Sequence, residues 1–343
     1  MFSFLLLAAS LPALVLSKSL PAKTLDQLSL GTWFENLAVR PNGDLLVTQM
    51  APSAALYTIR DPEECRNHLE ELVSFPSIQS IYGITQVPVT SRHHKPETFI
   101  VVGSNATGIG SPVVGSFGAW AIEFHPSKHA DKVQVRKVSD MSKKSRFLNG
   151  VASIPGRSDA ILVADSANGL VGRLDLSSGI FDTSAFVFPE MAPIKGTALP
   201  IGVNGIKVYN GHLYWTWSYS VSIYRIAITP AGLPAKRAKP ELVADLSKSV
   251  SFLDDFVFDT HGNIYAASNF DNTVVFINTK SGKWETVVGA VDQLTVAGST
   301  SVAFGRGKHD KNTLYVSTSG ALANPVNGTK SEGSKVVAVN TRS

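Results

Sequence analysis

Cysteine is nearly absent. Cys65 is the only one in 343 residues, so no disulfide can form within the chain. Stability must therefore come from a large packed core rather than from a cross-linked scaffold. Charge is sparse as well. Charged residues make up 17% and leave a net charge of +4, scattered along the chain. Lys236, Arg237 and Lys239, among the denser basic clusters, are flanked and interrupted by Pro and Ala. No aromatic-interleaved basic face appears, which argues against nucleic acid as a partner. Zinc-type Cys/His spacing is missing too: the eight histidines are scattered. His93-His94 reads as a loop pair and His212 and His261 as turn residues, all expected to be solvated. Neither a G-x-S-x-G nucleophile elbow nor a G-x-G-x-x-G after a strand is present, so the spacing suggests neither a serine hydrolase nor a dinucleotide enzyme.

What is there is apolar and repetitive. Apolar residues reach 44%, enough for one large globular core. Residues 1–17 carry no charged side chain and hold an apolar run from Phe4 to Leu16. Val15 and Ser17 are small residues that a signal peptidase favours, so the expectation is a signal peptide over 1–17 and one domain over 18–343. The run is too short for a membrane span, and none is expected after cleavage. Two sequons, Asn105-Ala106-Thr107 and Asn327-Gly328-Thr329, fit the secretory route as glycan acceptors.

A phrase recurs along the chain: "ENLAVRPNGDLLVTQM" from Glu35, "NGVASIPGRSDAILVADS" from Asn149, "NGIKVYNGHLYWTWS" from Asn204 and "DDFVFDTHGNIYAAS" from Asp254. Degenerate versions start at Tyr82 and Thr300. Each is a strand, a glycine-containing turn such as Asn42-Gly43, Asn210-Gly211 or His261-Gly262, and a second strand. Six copies at roughly fifty-residue spacing without helical periodicity predict an all-β, six-bladed β-propeller with four antiparallel strands per blade.

In such a ring the first strand of each blade lines the axis. Aligning the repeats on Leu37, Ile84, Val151, Ile206, Phe256 and Val302 brings Glu35, Tyr82, Asn149, Asn204, Asp254 and Thr300 to one mouth. A turn glycine eight residues after both Glu35 and Asp254 supports this phase. Asp254 then faces the channel, and Asp255 is expected in a neighbouring loop or on a blade face. Carboxylates and carboxamides on one axis are hard oxygen ligands, the set that suits Ca²⁺, Mg²⁺ or Mn²⁺. The same polar residues can instead cap turns and satisfy backbone groups. Trp33, Phe34, Tyr82, Trp217, Tyr219 and Phe270 are candidates for an apolar wall around small hydrophobic substrates. Blade packing also consumes aromatics, so part of this set is expected in the core. Phe117 and Trp120 lie beside a glycine-rich stretch, 104–120, that reads as a lid over the mouth or as an inserted loop without a role.

The phrases "LNGVASIPG", "NGIKVYNGHLYW" and "DDFVFDTHGNIYAAS" resemble the senescence-marker-protein/gluconolactonase/luciferin-regenerating propellers. That resemblance implies a divalent metal on Glu35, Asn204 and Asp254, a substrate-side Asn149, and lactone hydrolysis. The family's E-G-P-x-W reads "ENLAV" here and its P-D-G reads "LDDF", departures that bear on the hydrolytic chemistry more than on the fold. The leader, the sequons and "FLNGVA…VADSANGLVGRLDL" are similar to a fungal secretory subgroup that includes hetero-Diels–Alderases of tropolone–sesquiterpene biosynthesis. This likeness implies that an o-quinone methide is joined to an alkene of humulene type, with no required cofactor. Glu35, Asn149, Asn204 and Asp254 would then be the polar centre, with Tyr82, Trp217, Tyr219, Phe270 and Thr300 holding substrate. A metal-dependent lactonase and a non-catalytic ligand-binding propeller are the alternatives. The choice between monomer and homodimer stays open.

Overall fold

The computed structural model describes residues 19–64, 68–89, 96–126 and 132–342. The expected leader, Cys65 and the His93-His94 pair lie outside the described residues. Six four-stranded antiparallel sheets follow one another as blades. Blade 1 holds Trp33–Val39, Leu45–Ala51, Ala55–Ile59 and Glu70–Ser74. Blade 2 holds Ser80–Gln86, Glu97–Ser104, Gly118–His125 and Lys132–Asp140. Blade 3 holds Leu148–Ser153, Ala160–Asp165, Leu170–Asp175 and Phe181–Val187. Blade 4 holds Val203–Tyr209, His212–Trp217, Ser222–Ala227 and Glu241–Asp245. Blade 5 holds Phe256–Phe258, Ile264–Ser268, Thr273–Ile277 and Trp284–Gly289. Blade 6 takes Ser299–Phe304, Thr313–Thr318 and Gly333–Asn340 from the end of the chain, and its outer strand, Ala22–Leu30, from the beginning.

That last pairing closes the ring. Ala22 lies opposite Val339 and Leu30 opposite Gly333, so the first strand hydrogen-bonds to the last. The repeat phase expected from sequence holds in the register. Leu37 faces Val47, Ile84 faces Val101, Val151 faces Val163, Ile206 faces Trp215, Phe256 faces Ala266 and Val302 faces Val316. The turn chemistry is equally local. Asn210 and Gly211 both take positive φ, 45° and 72°, between the paired Tyr209 and His212, which is the two-residue hairpin that Asn-Gly favours.

First strands pack on first strands all the way round the axis, and apolar clusters fill the wedges between successive blades. Leu162, Val171, Leu213 and Trp215 fill one such wedge, between blades 3 and 4. Leu56, Ile81, Phe99 and Ile122 fill another, between blades 1 and 2. Each buried side chain of this size contributes about 1.5–3 kcal/mol, which is how a ring without cross-links is held together.

Candidate active site

The strands nearest the axis are irregular where the ring of polar residues sits. Register breaks fall between Phe34 and Asn36, Ile81 and Ile84, Leu148 and Val151, Val203 and Ile206, and Ser299 and Ser301. Glu35, Tyr82, Asn149, Asn204 and Thr300 are therefore bulge residues, and a bulge re-aims a side chain away from the regular pleat. In blade 5 the same place precedes the regular strand, where Asp254 donates its N–H to Ala267 O and the Asp255 carbonyl accepts from Ala267 N–H.

The residue after each bulge position explains how the strands can crowd the axis. In blades 2, 3 and 4 it is Gly83, Gly150 and Gly205. A Cβ on these would lie 2.4 Å from Asn149 O, 2.5 Å from Asn204 O and 2.4 Å from Asp255 Oδ1. In blades 1, 5 and 6 the equivalents are Asn36, Asp255 and Ser301, and these three meet. Asp255 accepts from Asn36 Nδ2 at 2.9 Å and Ser301 Oγ at 3.2 Å, and from Lys207 Nζ of blade 4 at 2.6 and 2.7 Å. Asp255 is therefore an axial residue, not the loop or blade-face residue expected. It sits one step deeper than Asp254, in the space that Gly205 leaves, and it plugs the channel with a charge-assisted network.

Above this plug lies a cavity of about 270 Å³. Glu35, Asn149, Asn204 and Asp254 all line it, so these four predicted residues do converge on one mouth. Asn204 Nδ2 and Asn269 Nδ2 donate to the two oxygens of Asp254 at 3.0 and 3.2 Å. The Trp33 indole N–H donates to Glu35 Oε2 at 2.6 Å. Burial pushes the Glu35 carboxyl up to about 7; the indole bond opposes this and the Asp255 charge adds to it. Asp254 is raised well above the ordinary aspartate value, first by burial and then by Glu35, against the two amide donors. Two carboxyls under an apolar cavity thus hold protons more tightly than in water.

Three of the predicted aromatics form the wall: Trp33, Tyr219 and Phe270. Phe252 joins them, its ring 5.1 Å from Tyr219 edge-on and 4.5 Å from Phe270. The others serve elsewhere. Trp217 turns into the wedge between blades 3 and 4, donating its indole N–H to Ala192 O at 2.7 Å and packing on Tyr224. Thr300 is fully buried and ties blade 6 to blade 1 by donating to Phe34 O at 2.8 Å. Neither touches the cavity. Tyr82 lies beneath the wall, its hydroxyl paired with Ser104 Oγ at 2.8 Å and its ring edge-on to Phe147; burial pushes the phenol up to about 12. Phe34 is buried between blades 6 and 1, and Phe117 and Trp120 are core residues.

The glycine-rich stretch does reach the mouth. Ala106–Gly108 and Ser111–Pro112 form a small hairpin whose tip, Ile109-Gly110, lines the cavity. Gly110 (φ +67°) lies against Leu199 from the loop before blade 4; a Cβ there would be 3.3 Å from the leucine. The sequon Asn105 is half-buried at the root of this hairpin, whereas Asn327 is exposed in a turn at φ 53°.

Sequence reasoning missed Phe147, Phe252, Leu199 and Ile201 as lining residues. The first two had a signal. Side chains two apart on a strand share a face. Two residues before the ring positions stand Trp33, Phe147 and Phe252 in blades 1, 3 and 5, alternating with Ser80, Gly202 and Gly298 in blades 2, 4 and 6. Large and small side chains alternate around the mouth, and the three large ones are wall. Leu199 and Ile201 come from a loop that has no repeat counterpart.

No protein-family model matches the chain. Among solved structures, a luciferin-regenerating enzyme superposes with a TM-score of 0.62 at 12% identity, covering 94% of this chain and 96% of that one, a likeness of fold. In sequence, a Sarocladium schorii protein bearing the designation "Putative hetero-Diels-Alderase asR5" is 27% identical over 326 residues, covering 87% of this chain and 78% of the relative. A Phoma sp protein bearing the designation "Putative hetero-Diels-Alderase" is 30% identical over 318 residues, covering 87% of this chain and 86% of the relative. With its six-bladed ring and its carboxyl-floored, aromatic-walled mouth, the chain belongs to the hetero-Diels–Alderase family of propellers.

Proposed function

We propose that this chain catalyses an intermolecular hetero-Diels–Alder cycloaddition between an o-quinone methide and an alkene of a humulene-type sesquiterpene. The heterodiene forms by loss of water from a hydroxymethyl tropolone or phenol. Glu35, protonated near neutrality, gives its proton to the leaving hydroxyl as the C–O bond breaks. The ring hydroxyl then returns a proton to the Glu35 carboxylate, so that the net loss is one water and the acid is restored. Asn149 and the protonated form of Asp254 donate hydrogen bonds to the heterodiene carbonyl, lowering its electron density towards the alkene. The exocyclic carbon and the carbonyl oxygen each form one bond to the alkene carbons, and the ring regains its conjugation without a further proton transfer. Tyr219, Phe252 and Phe270 hold apolar surface in a near-attack pose, an effect worth about 7–11 kcal/mol in ideal cases.

The observation that carries this reading is the pairing of a wall of aromatic rings with a floor of two raised-pKa carboxyls. The test is incubation of the purified protein with a hydroxymethyl tropolone or phenol and humulene. Rapid formation of one stereoisomer is expected. A racemic product at the spontaneous rate would remove the assignment.

One observation favours a second reading, a divalent-metal-dependent lactonase. Asn204 Oδ1 is buried without a hydrogen-bond partner, and Asn204 lines the cavity together with Asp254 and Glu35. These are hard oxygen donors, and they fit a Ca²⁺, Mg²⁺ or Mn²⁺ ion once the amide of Asn204 turns its oxygen inward. Such an ion would supply Lewis acidity, with Asn149 left to orient the substrate. Chelation with EDTA separates the readings: lactone hydrolysis lost and restored by added cation supports the hydrolase, and indifference of cycloaddition to EDTA supports the template. We further propose the secretory route for the chain, with Asn327, the exposed sequon, as its main glycan acceptor.

A further inference from the structure

The hairpin tip that closes the central cavity has a second side. Beyond it lies a groove of about 300 Å³ between blades 1 and 2. Its lining includes Gly31, Ala51 and Pro52 from blade 1 and its approach, Ala106 and Gly108 from the hairpin, and the polar Gln79, Ser80 and Thr107 at the edge. No charged side chain lines it among the described residues. The polar groups are in part already engaged: Ser80 Oγ donates to Met50 O at 2.8 Å, and Gln79 Oε1 accepts from the Ala106 N–H at 3.3 Å. What remains for a ligand is mostly apolar surface with little hydrogen-bonding demand.

Met50 and Ile109 line both this groove and the central cavity, so the two spaces abut along these side chains. Size favours a second space. The central cavity, at about 270 Å³, falls just below the ~300–1,000 Å³ typical of a pocket for one small molecule, and a bimolecular addition needs room for two. The chemistry of the two spaces also differs. Only the central one offers carboxyl groups; the groove's single carboxamide, Gln79, already accepts from Ala106 N–H, so the groove suits a partner with little oxygen to satisfy. Ile109 is 42% exposed, so its side chain is free to turn aside and bring the two occupants edge to edge.

We propose that the groove between blades 1 and 2 is the subsite for the hydrocarbon partner, while the oxygen-bearing partner occupies the central cavity, the two meeting across Met50 and Ile109. This rests on the cycloaddition assigned above and adds the place of each reactant. It also gives the hairpin a task beyond covering the mouth, that of partitioning the reactants.

Gly108→Phe tests the proposal. Gly108 lines the groove but not the cavity, and a Cβ there meets no atom within 4 Å, so the ring enters open space without straining the strand. The change also leaves the Asn105-Ala106-Thr107 sequon intact. Binding of humulene to the full chain, measured by equilibrium dialysis without the second reactant, is expected to weaken at least about tenfold. Binding of the hydroxymethyl tropolone is expected to stay unchanged, and the apparent KM should rise for the hydrocarbon alone. Unchanged humulene binding, or equal weakening for both molecules, would overturn the subsite. If the unaltered protein turns over no pair of reactants, the assigned reaction fails, while the dialysis still decides whether the groove holds the hydrocarbon.

Discussion

Glu35 is the residue on which pH acts most directly. Its carboxyl is pushed up to about 7 from an ordinary 4.5, so the folded protein holds that proton where the unfolded chain has lost it. The stability this proton contributes is full below the unfolded value and is lost as pH rises through about 7. Glu35→Gln is neutral at every pH, so at pH 8 its free energy of unfolding, read from a denaturant titration, is expected above that of the unaltered chain by up to about 3 kcal/mol. Its dehydration rate is expected to fall by about 10²–10⁴, the range for loss of a general acid. The unaltered enzyme's kcat/KM should decline above about pH 7, and a pH profile with no such limb would remove Glu35 as the acid. The polar centre was legible in sequence because its residues recur in one phase of a repeat whose apolar neighbours, from Leu37 to Val302, pair with the second strand of the same blade. Thr300 shares that phase and still lies off the cavity. A hydroxyl on a short side chain satisfies a neighbouring carbonyl before it reaches the mouth.

At the scale of the element, a strand's side chain has two destinations, and repeat phase does not choose between them. Trp217 ends the second strand of blade 4 and Tyr219 lies two residues on, in the turn that follows, yet Trp217 enters the wedge beside Tyr224 while Tyr219 faces the cavity. Trp217→Ala is therefore expected to cost about 3 kcal/mol of stability with turnover little changed. Tyr219→Ala should do the reverse, with kcat/KM down about tenfold or more and a small shift in Tm. Thermal melts and initial rates on both variants check the contrast. The bulged inner strands depend on the residue next after the bulge. Gly205→Ala would put a Cβ 2.6 Å from the Cα of Asp255, and the strained plug is expected to cost about 1–3 kcal/mol in a denaturant titration. Asp255 itself could not be placed from sequence. Its position is set by Gly205 of blade 4, where a Cβ would fall on Asp255, and by Lys207 of the same blade, which pairs with its carboxylate. Such coincidences belong to the assembled ring, and no single repeat contains them.

For the whole molecule, six repeats were countable in the chain, but the partner of the opening segment was not, because Ala22–Leu30 matches no repeat phrase. It pairs with Gly333–Asn340 and covers Val336, Val337 and Val339, which would otherwise be an open apolar edge. Removing 22–30 is expected to yield protein that aggregates rather than one that melts slightly lower, since an unpaired apolar edge invites pairing with other chains. Size-exclusion chromatography reads the outcome, and a soluble, normally sized product would show that the last blade stands with three strands.

The same closure sets a timetable for biosynthesis. Ala22–Leu30 leaves the ribosome some three hundred residues before its partner strand, Gly333–Asn340. Until then the nascent ring is an arc with two raw ends, so the seam between these two strands is where the ring is completed.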